Sequence, residues 1–187
     1  FGVSPNEIGL NDILAKIEAA KTDANIKGIF INPTTVGTGF ATLKAIRDAL
    51  VDFKKSDKFI VSYSDGYSQK AYYLASVADK IYLNPQGSLD FRGLSSSTMF
   101  MKDALDKLGV DMQVIKVGTY KSAVEPFMLN SMSEANRLQV NSYLNSIYEA
   151  FLDDLSAGRK ISKDSLRHYA DAYAIRNADD ALKYKFI

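Results

Sequence analysis

Lys58-Phe-Ile-Val-Ser-Tyr63 and Lys80-Ile-Tyr-Leu-Asn84 are two short apolar runs that read as strands, and the segment around Tyr72–Val77 between them reads as a helix. Ser64-Asp-Gly66 carries the turn residues that lead from the first strand into that helix, and Pro85 and Gly87 end the second strand. Strand, helix and strand in this order make a βαβ unit with parallel strands. The pattern extends upstream. Leu10, Ile13, Leu14 and Ile17 recur at the spacing of an amphipathic helix. Lys27-Gly-Ile-Phe-Ile-Asn32 reads as a short buried strand, Asn32–Gly39 as a loop, and Phe40, Leu43, Ile46, Leu50 and Phe53 mark the next helix. The alternation predicts an α/β fold with a mainly parallel sheet and right-handed crossovers.

Downstream, Gly93–Ser97 is polar and loose, and Met99–Leu108 reads as a helix with Met101, Leu105 and Leu108 as its stripe. Met112-Gln-Val-Ile-Lys-Val117 reads as a further strand. Ser131-Met-Ser-Glu134 has the form of a capping box. It opens the longest helical pattern, with Val140, Leu144, Ile147, Phe151 and Leu155 facing a core and Gly158 as a natural stop. Tyr143 and Tyr148 on this helix face either that core or a partner subunit. A last helix over Ser162–Tyr173 and a short turn at Ala181–Leu182 close the chain. No repeat or linker interrupts it, so residues 1–187 read as a single domain.

Between the predicted strand and the long helix lies Gly118-Thr-Tyr-Lys-Ser-Ala-Val-Glu-Pro-Phe127. Gly118 permits a sharp turn at the strand end. Pro126 biases Glu125 towards an extended backbone and stops any helix started at Tyr120. Lys121 therefore sits in a short, stiff connection. Lysine has an unperturbed pKa near 10.4 and is a poor base at neutral pH. Burial among apolar groups such as Tyr120, Ala123, Val124 and Phe127 lowers that value and permits Ser-Lys catalysis. The alternative from composition alone is an ordinary surface lysine.

This ten-residue stretch resembles the lysine motif of the signal peptide peptidase A (protease IV) family, and more narrowly the amino-terminal half of its long two-domain bacterial form. Gln69-Lys-Ala-Tyr-Tyr-Leu-Ala-Ser-Val-Ala-Asp-Lys-Ile-Tyr-Leu-Asn-Pro-Gln-Gly87 resembles a second segment of that family. The resemblance implies a ClpP/crotonase-like fold with repeated ββα units. It also implies that Lys121 is the general base of a Ser-Lys dyad, and it requires neither a metal nor an organic cofactor.

Aligning Tyr72-Tyr73 with the family's aromatic pair places Gln69 where the family has its nucleophilic serine. Lys70 and Ala71 replace small glycines, and Ser68, one residue off, is a helix cap. Ser95–Ser97 read as a solvated loop, and Ser122 as a donor that orients Lys121. His168 with Asp164 or Asp171 fits an exposed helix face better than a triad, since no G-x-S-x-G accompanies it. Gly37 and Gly39 are the candidate oxyanion donors, but Asn32-Pro33-Thr34-Thr35 departs from the family's glycine-rich turn. The chain thus reads as the lysine-bearing half of a site. Its expected partners are a second, serine-bearing domain of the parent chain, further copies in a homo-oligomer, and apolar peptide substrates such as cleaved signal peptides.

Composition is that of an ordinary globular domain. The 187 residues are 47% hydrophobic and 24% charged with a net charge of +1, which gives no reason to expect nucleic acid. There is no cysteine and one histidine, which removes thiolate and multi-histidine metal sites. No apolar run reaches the about 20 residues of a membrane span. The chain reads as excised from a longer protein, and the resemblance implies that this parent is anchored in the inner membrane of a bacterial cell envelope, with this domain on the periplasmic side. The rival functions are a crotonase-like acyl-CoA enzyme, which leaves Lys121 unexplained, and a non-catalytic scaffold domain.

Overall fold

The computed structural model describes residues 8–33, 35–115, 117–118 and 120–187. The chain divides into two compact units, one built from residues up to Gly93 together with Phe151–Ile187, the other from Leu94–Ala150.

The first unit holds a three-stranded parallel sheet in the order β1 (Gly28–Ile31), β2 (Phe59–Tyr67), β3 (Lys80–Leu89). The predicted helices appear as α1 (Leu10–Thr22), α2 (Phe40–Phe53) and α3 (Gln69–Ala75). On α2, Leu43, Leu50 and Phe53 are buried, as their spacing predicts. Along β2, Ile60, Ser62, Ser64 and Tyr67 are buried. The expectation of a buried first strand is corrected, because β1 lies at the sheet edge and Phe30 is 64% exposed. Phe59 and Tyr82 are exposed as well.

Two predicted strand ends are also corrected. Ser64-Asp-Gly66 does not turn the chain out of the sheet; β2 continues to Tyr67, and β3 runs through Pro85 and Gly87 to Leu89. Pairing passes from Ser64↔Leu83 directly to Gly66↔Ser88, so Asn84–Gly87 bulge out opposite Asp65. A proline that cannot donate is tolerated in such a bulge. Asn84 Nδ2 donates to Asp65 Oδ1 at 2.9 Å and Ser64 Oγ donates to the Gly66 carbonyl at 2.7 Å, which supplies the local bonds the ladder lacks there.

The core of this unit is aromatic. Tyr72 stacks on Phe186 with ring centres 5.3 Å apart, Tyr73 stacks on Phe151 at 5.1 Å, and Phe91 meets Phe186 edge-on at 5.0 Å. Phe151, Leu152 and Leu155 come from the end of the long helix α6 (Glu134–Arg159). Gly158 does not stop α6. A Cβ there would stand 2.7 Å from the Ser76 carbonyl, so the glycine permits close approach, and the left-handed residue at the end is Lys160 with φ 56°. Buried Arg47 donates to the Asp154 carbonyl at 2.7 Å and lies over the Tyr73 ring at 5.2 Å. The remaining helices are α7 (Lys163–Asp171), capped by Ser162, and α8 (Ala178–Lys183), capped by Asn177.

The second unit holds α4 (Lys102–Lys107), a 3₁₀ turn at Ser122–Val124, α5 (Glu125–Met128) and the first two-thirds of α6. Helix α4 is shorter than Met99–Leu108, and Leu108 of its supposed stripe is exposed. No strand forms at Met112–Ile115 or Val117; Lys116 and Thr119 lie outside the described residues. Ile115 is 99% and Val117 85% exposed, so this apolar run has no neighbouring strand to pair with among the described residues. The capping residue of α6 is Ser133 rather than Ser131: its Oγ accepts from the Asn136 N–H at 3.2 Å. On the first half of α6, Leu138 and Tyr143 are exposed, while its last turns enter the core of the first unit.

Candidate active site

Gly118 adopts φ 102°, the conformation that glycine alone takes easily, and it opens the connection that carries Lys121. Lys121 is exposed and immediately precedes the 3₁₀ turn. It lines a cleft of about 550 Å³ with Ile115, Val117, Tyr120, Ala123 and Val124. Of the apolar neighbours predicted for the amine, Tyr120, Ala123 and Val124 line this cleft and Phe127 does not, and the cleft is open. The Ser122 carbonyl accepts the Glu125 N–H, so this serine is part of the turn.

Glu125 departs from the prediction. It is helical, with φ −55° and ψ −37°, although proline follows. Its side chain is 2% exposed. Ser133 Oγ donates to Oε1 at 2.6 Å, while the Ser133 N–H and Asn136 Nδ2 donate to Oε2 at 3.2 and 2.9 Å. The positive end of α6 also favours a carboxylate there. Sequence reasoning missed this role; the signal was an acidic residue eight positions before a capping serine.

The stretch that resembles the nucleophile region lies in the first unit. Ser68 is the N-cap of α3, its Oγ accepting from the Ala71 N–H at 3.3 Å. Gln69 is tied to the loop after β3: Oε1 accepts from the Arg92 and Gly93 N–H groups at 2.8 and 3.0 Å, and Nε2 donates to the Gly93 carbonyl at 2.9 Å. Gly93 takes φ 96° within this clamp. Lys70 reaches the other way, donating to the Thr38 carbonyl at 2.8 Å and lying over the Phe40 ring at 5.1 Å. Both side chains are thus structural ties.

Gly37 and Gly39 have no atom within 4 Å of where a Cβ would stand, so packing does not require glycine at either. Thr34 of the same turn lies outside the described residues. Ser95–Ser97 form exposed coil. His168 lines a separate polar hollow with Tyr169, Arg176, Asp180 and Tyr184, and Asp164 faces Arg167 at 3.4 Å. Among the described residues no cluster of His, Cys, Asp or Glu could hold a metal ion, and no helix is long and apolar enough to cross a membrane.

The parallel sheet and its helices make this a mixed α/β protein, the class of fold to which the ClpP-like S49 peptidases belong. The model of peptidase family S49 matches residues 52–187, and the chain belongs to that family. It is similar to Protease 4 of Haemophilus influenzae, 39% identical over 170 residues that make up 90% of this chain and 28% of that protein. Protease 4 of Salmonella typhi is also 39% identical, over 89% of this chain and 28% of the relative. The chloroplastic serine protease SPPA of Arabidopsis thaliana is 28% identical over 87% of this chain and 24% of its own length. The chain therefore spans about a quarter of the length of these three relatives.

Proposed function

We propose that this chain is the lysine-bearing half of a Ser-Lys dyad serine endopeptidase that degrades apolar peptides, cleaved signal peptides among them. The carrying observation is that the motif presents Lys121 uncovered in a cleft whose apolar walls are themselves open to solvent. Such a surface suits a covering partner. We read the two units as parts of one ClpP-like domain spanning 1–187, with the partner a homologous, serine-bearing domain of the parent, in the same or a neighbouring copy of an oligomer. The engagement of Gln69 with Arg92 and Gly93 supports a division of labour in which this half supplies no nucleophile. The name of the plant relative, a serine protease, agrees with this chemistry. On this reading the parent sits in the bacterial envelope, anchored to the inner membrane with this domain on the periplasmic side.

In the proposed reaction, Lys121 Nζ is the general base. It takes the serine proton as the oxygen attacks the peptide carbonyl, and the resulting ammonium gives that proton to the leaving amine. Water, deprotonated by the same amine, then attacks the acyl carbonyl; the ester C–O bond breaks as the ammonium returns the proton to the serine oxygen. A scaffold domain is the second reading, favoured by the same Gln69 bonds, and it makes Lys121 dispensable. Hydrolysis of an apolar fluorogenic peptide by the full-length parent and its Lys121→Ala variant separates the two.

A further inference from the structure

Among the described residues before Lys121, Ile115, Val117 and Tyr120 are largely exposed, and the described residues that follow it hold a buried anchor. There the chain is tied at one buried point. Glu125 stands one 3₁₀ turn past Lys121, and its backbone closes that turn through the Ser122 carbonyl. Its carboxylate receives three donors from Ser133 and Asn136, and Asn136 is itself buried. Hydrogen bonds to a charged acceptor are the stronger kind. Ser133 simultaneously caps a 26-residue helix, so the anchor is a rigid element rather than another loop. The next residue is held as well: the Pro126 carbonyl accepts from the Met101 N–H at 2.7 Å. Glu125 keeps a helical backbone that a following proline disfavours, and its side-chain bonds favour holding it there.

We propose that Glu125 is the positioning residue of the lysine turn. It ties the backbone of Ser122–Val124 to the start of α6, so that Lys121 Nζ is presented at a fixed height to a serine arriving from outside this chain. The inference rests on the dyad reading above. Misplacement of a reacting group by about 1 Å can cost about 10²-fold in rate.

The test uses the full-length parent and an apolar fluorogenic peptide, with Glu125→Ala and Glu125→Gln each made with Lys121 present and with Lys121→Ala. Glutamine can keep the network: its oxygen accepts from the Ser133 N–H and Asn136 Nδ2, and its amide donates to Ser133 Oγ. The expected result is a drop in kcat of about 10- to 10²-fold for Glu125→Ala with KM within about twofold. Glu125→Gln should recover most of that loss. In the Lys121→Ala background, Glu125→Ala should change the residual rate by less than about twofold, since effects exerted through one group do not add. Should Glu125→Ala fail to fold, Ser133→Ala removes one of the donors and is expected to lower kcat by about three- to tenfold, again only when Lys121 is present. A Lys121→Ala loss combined with unchanged kcat in the Glu125→Ala or Ser133→Ala variant would overturn the positioning role and leave the dyad standing. Equal losses in both Lys121 backgrounds, or no recovery with glutamine, would overturn it too. Full activity of Lys121→Ala would overturn the dyad and this role together.

Discussion

Replacing Gln69 with alanine should loosen the loop after β3. In the wild type its amide accepts two backbone N–H bonds and donates one, all between 2.8 and 3.0 Å. The Arg92 N–H lies on an exposed residue and finds water once the amide is gone. Gly93 is half-buried, so its N–H and carbonyl recover less. At about 1 kcal/mol net per bond, with partial solvent compensation, the loss is about 1.5–3 kcal/mol. For a chain of this length that lowers Tm by about 3–12 °C. Glu at this position keeps the two N–H bonds and sits favourably at the start of α3, but faces the Gly93 carbonyl without a proton to give. It should therefore fall between wild type and alanine. Thermal unfolding gives the ranking, and amide hydrogen exchange locates it: Arg92 and Gly93 should exchange faster in Gln69→Ala while β2 is unchanged. A Tm within about 1 °C of wild type together with unaltered exchange at Gly93 would refute the clamp.

Two further outcomes follow from the same unit. Gly87→Ala would place a Cβ 2.3 Å from the Asp65 carbonyl and 2.9 Å from that of Asn84, both backbone atoms. It should cost about 1–3 kcal/mol through displacement of the β3 bulge, measured by urea unfolding. Tyr67 bonds to Ser62 Oγ at 2.8 Å and the Tyr82 carbonyl at 3.1 Å, and burial pushes its hydroxyl up to about 12. The unfolded chain releases that proton first, near pH 10, so this stabilisation is complete below pH 10 and lost as pH rises through about 12. Tyr67→Phe should be less stable than wild type at pH 8, and the gap should narrow or reverse by pH 11. Parallel Tm curves across that range would contradict the assignment.

The strands and helices around the sheet were legible because their patterns are strong: the α2 stripe ending in Phe53 reports a buried face, and β2 is an apolar run, although its inward residues include Ser62 and Ser64 as well as Ile60. What sequence misjudged was where a strand ends. Turn residues at Ser64–Gly66 and Asn84–Gly87 pair up as a bulge because they meet each other across two strands, a nonlocal fact. Val117 and Ile115 look like a strand locally, yet a strand needs a neighbour. The departure at Gln69 was visible from the motif, but its purpose emerged only from the bonds to Arg92 and Gly93. Glu125 was read as the residue before a proline, and its partners eight and eleven positions later decided its conformation instead.

The most direct test of the central claim is kcat for an apolar fluorogenic peptide in the full-length parent carrying Lys121→Ala, with the fold verified by circular dichroism. The account predicts a loss of at least about 10²-fold, the share of a general base. Turnover close to wild type in a correctly folded variant would contradict it and leave this domain as a scaffold.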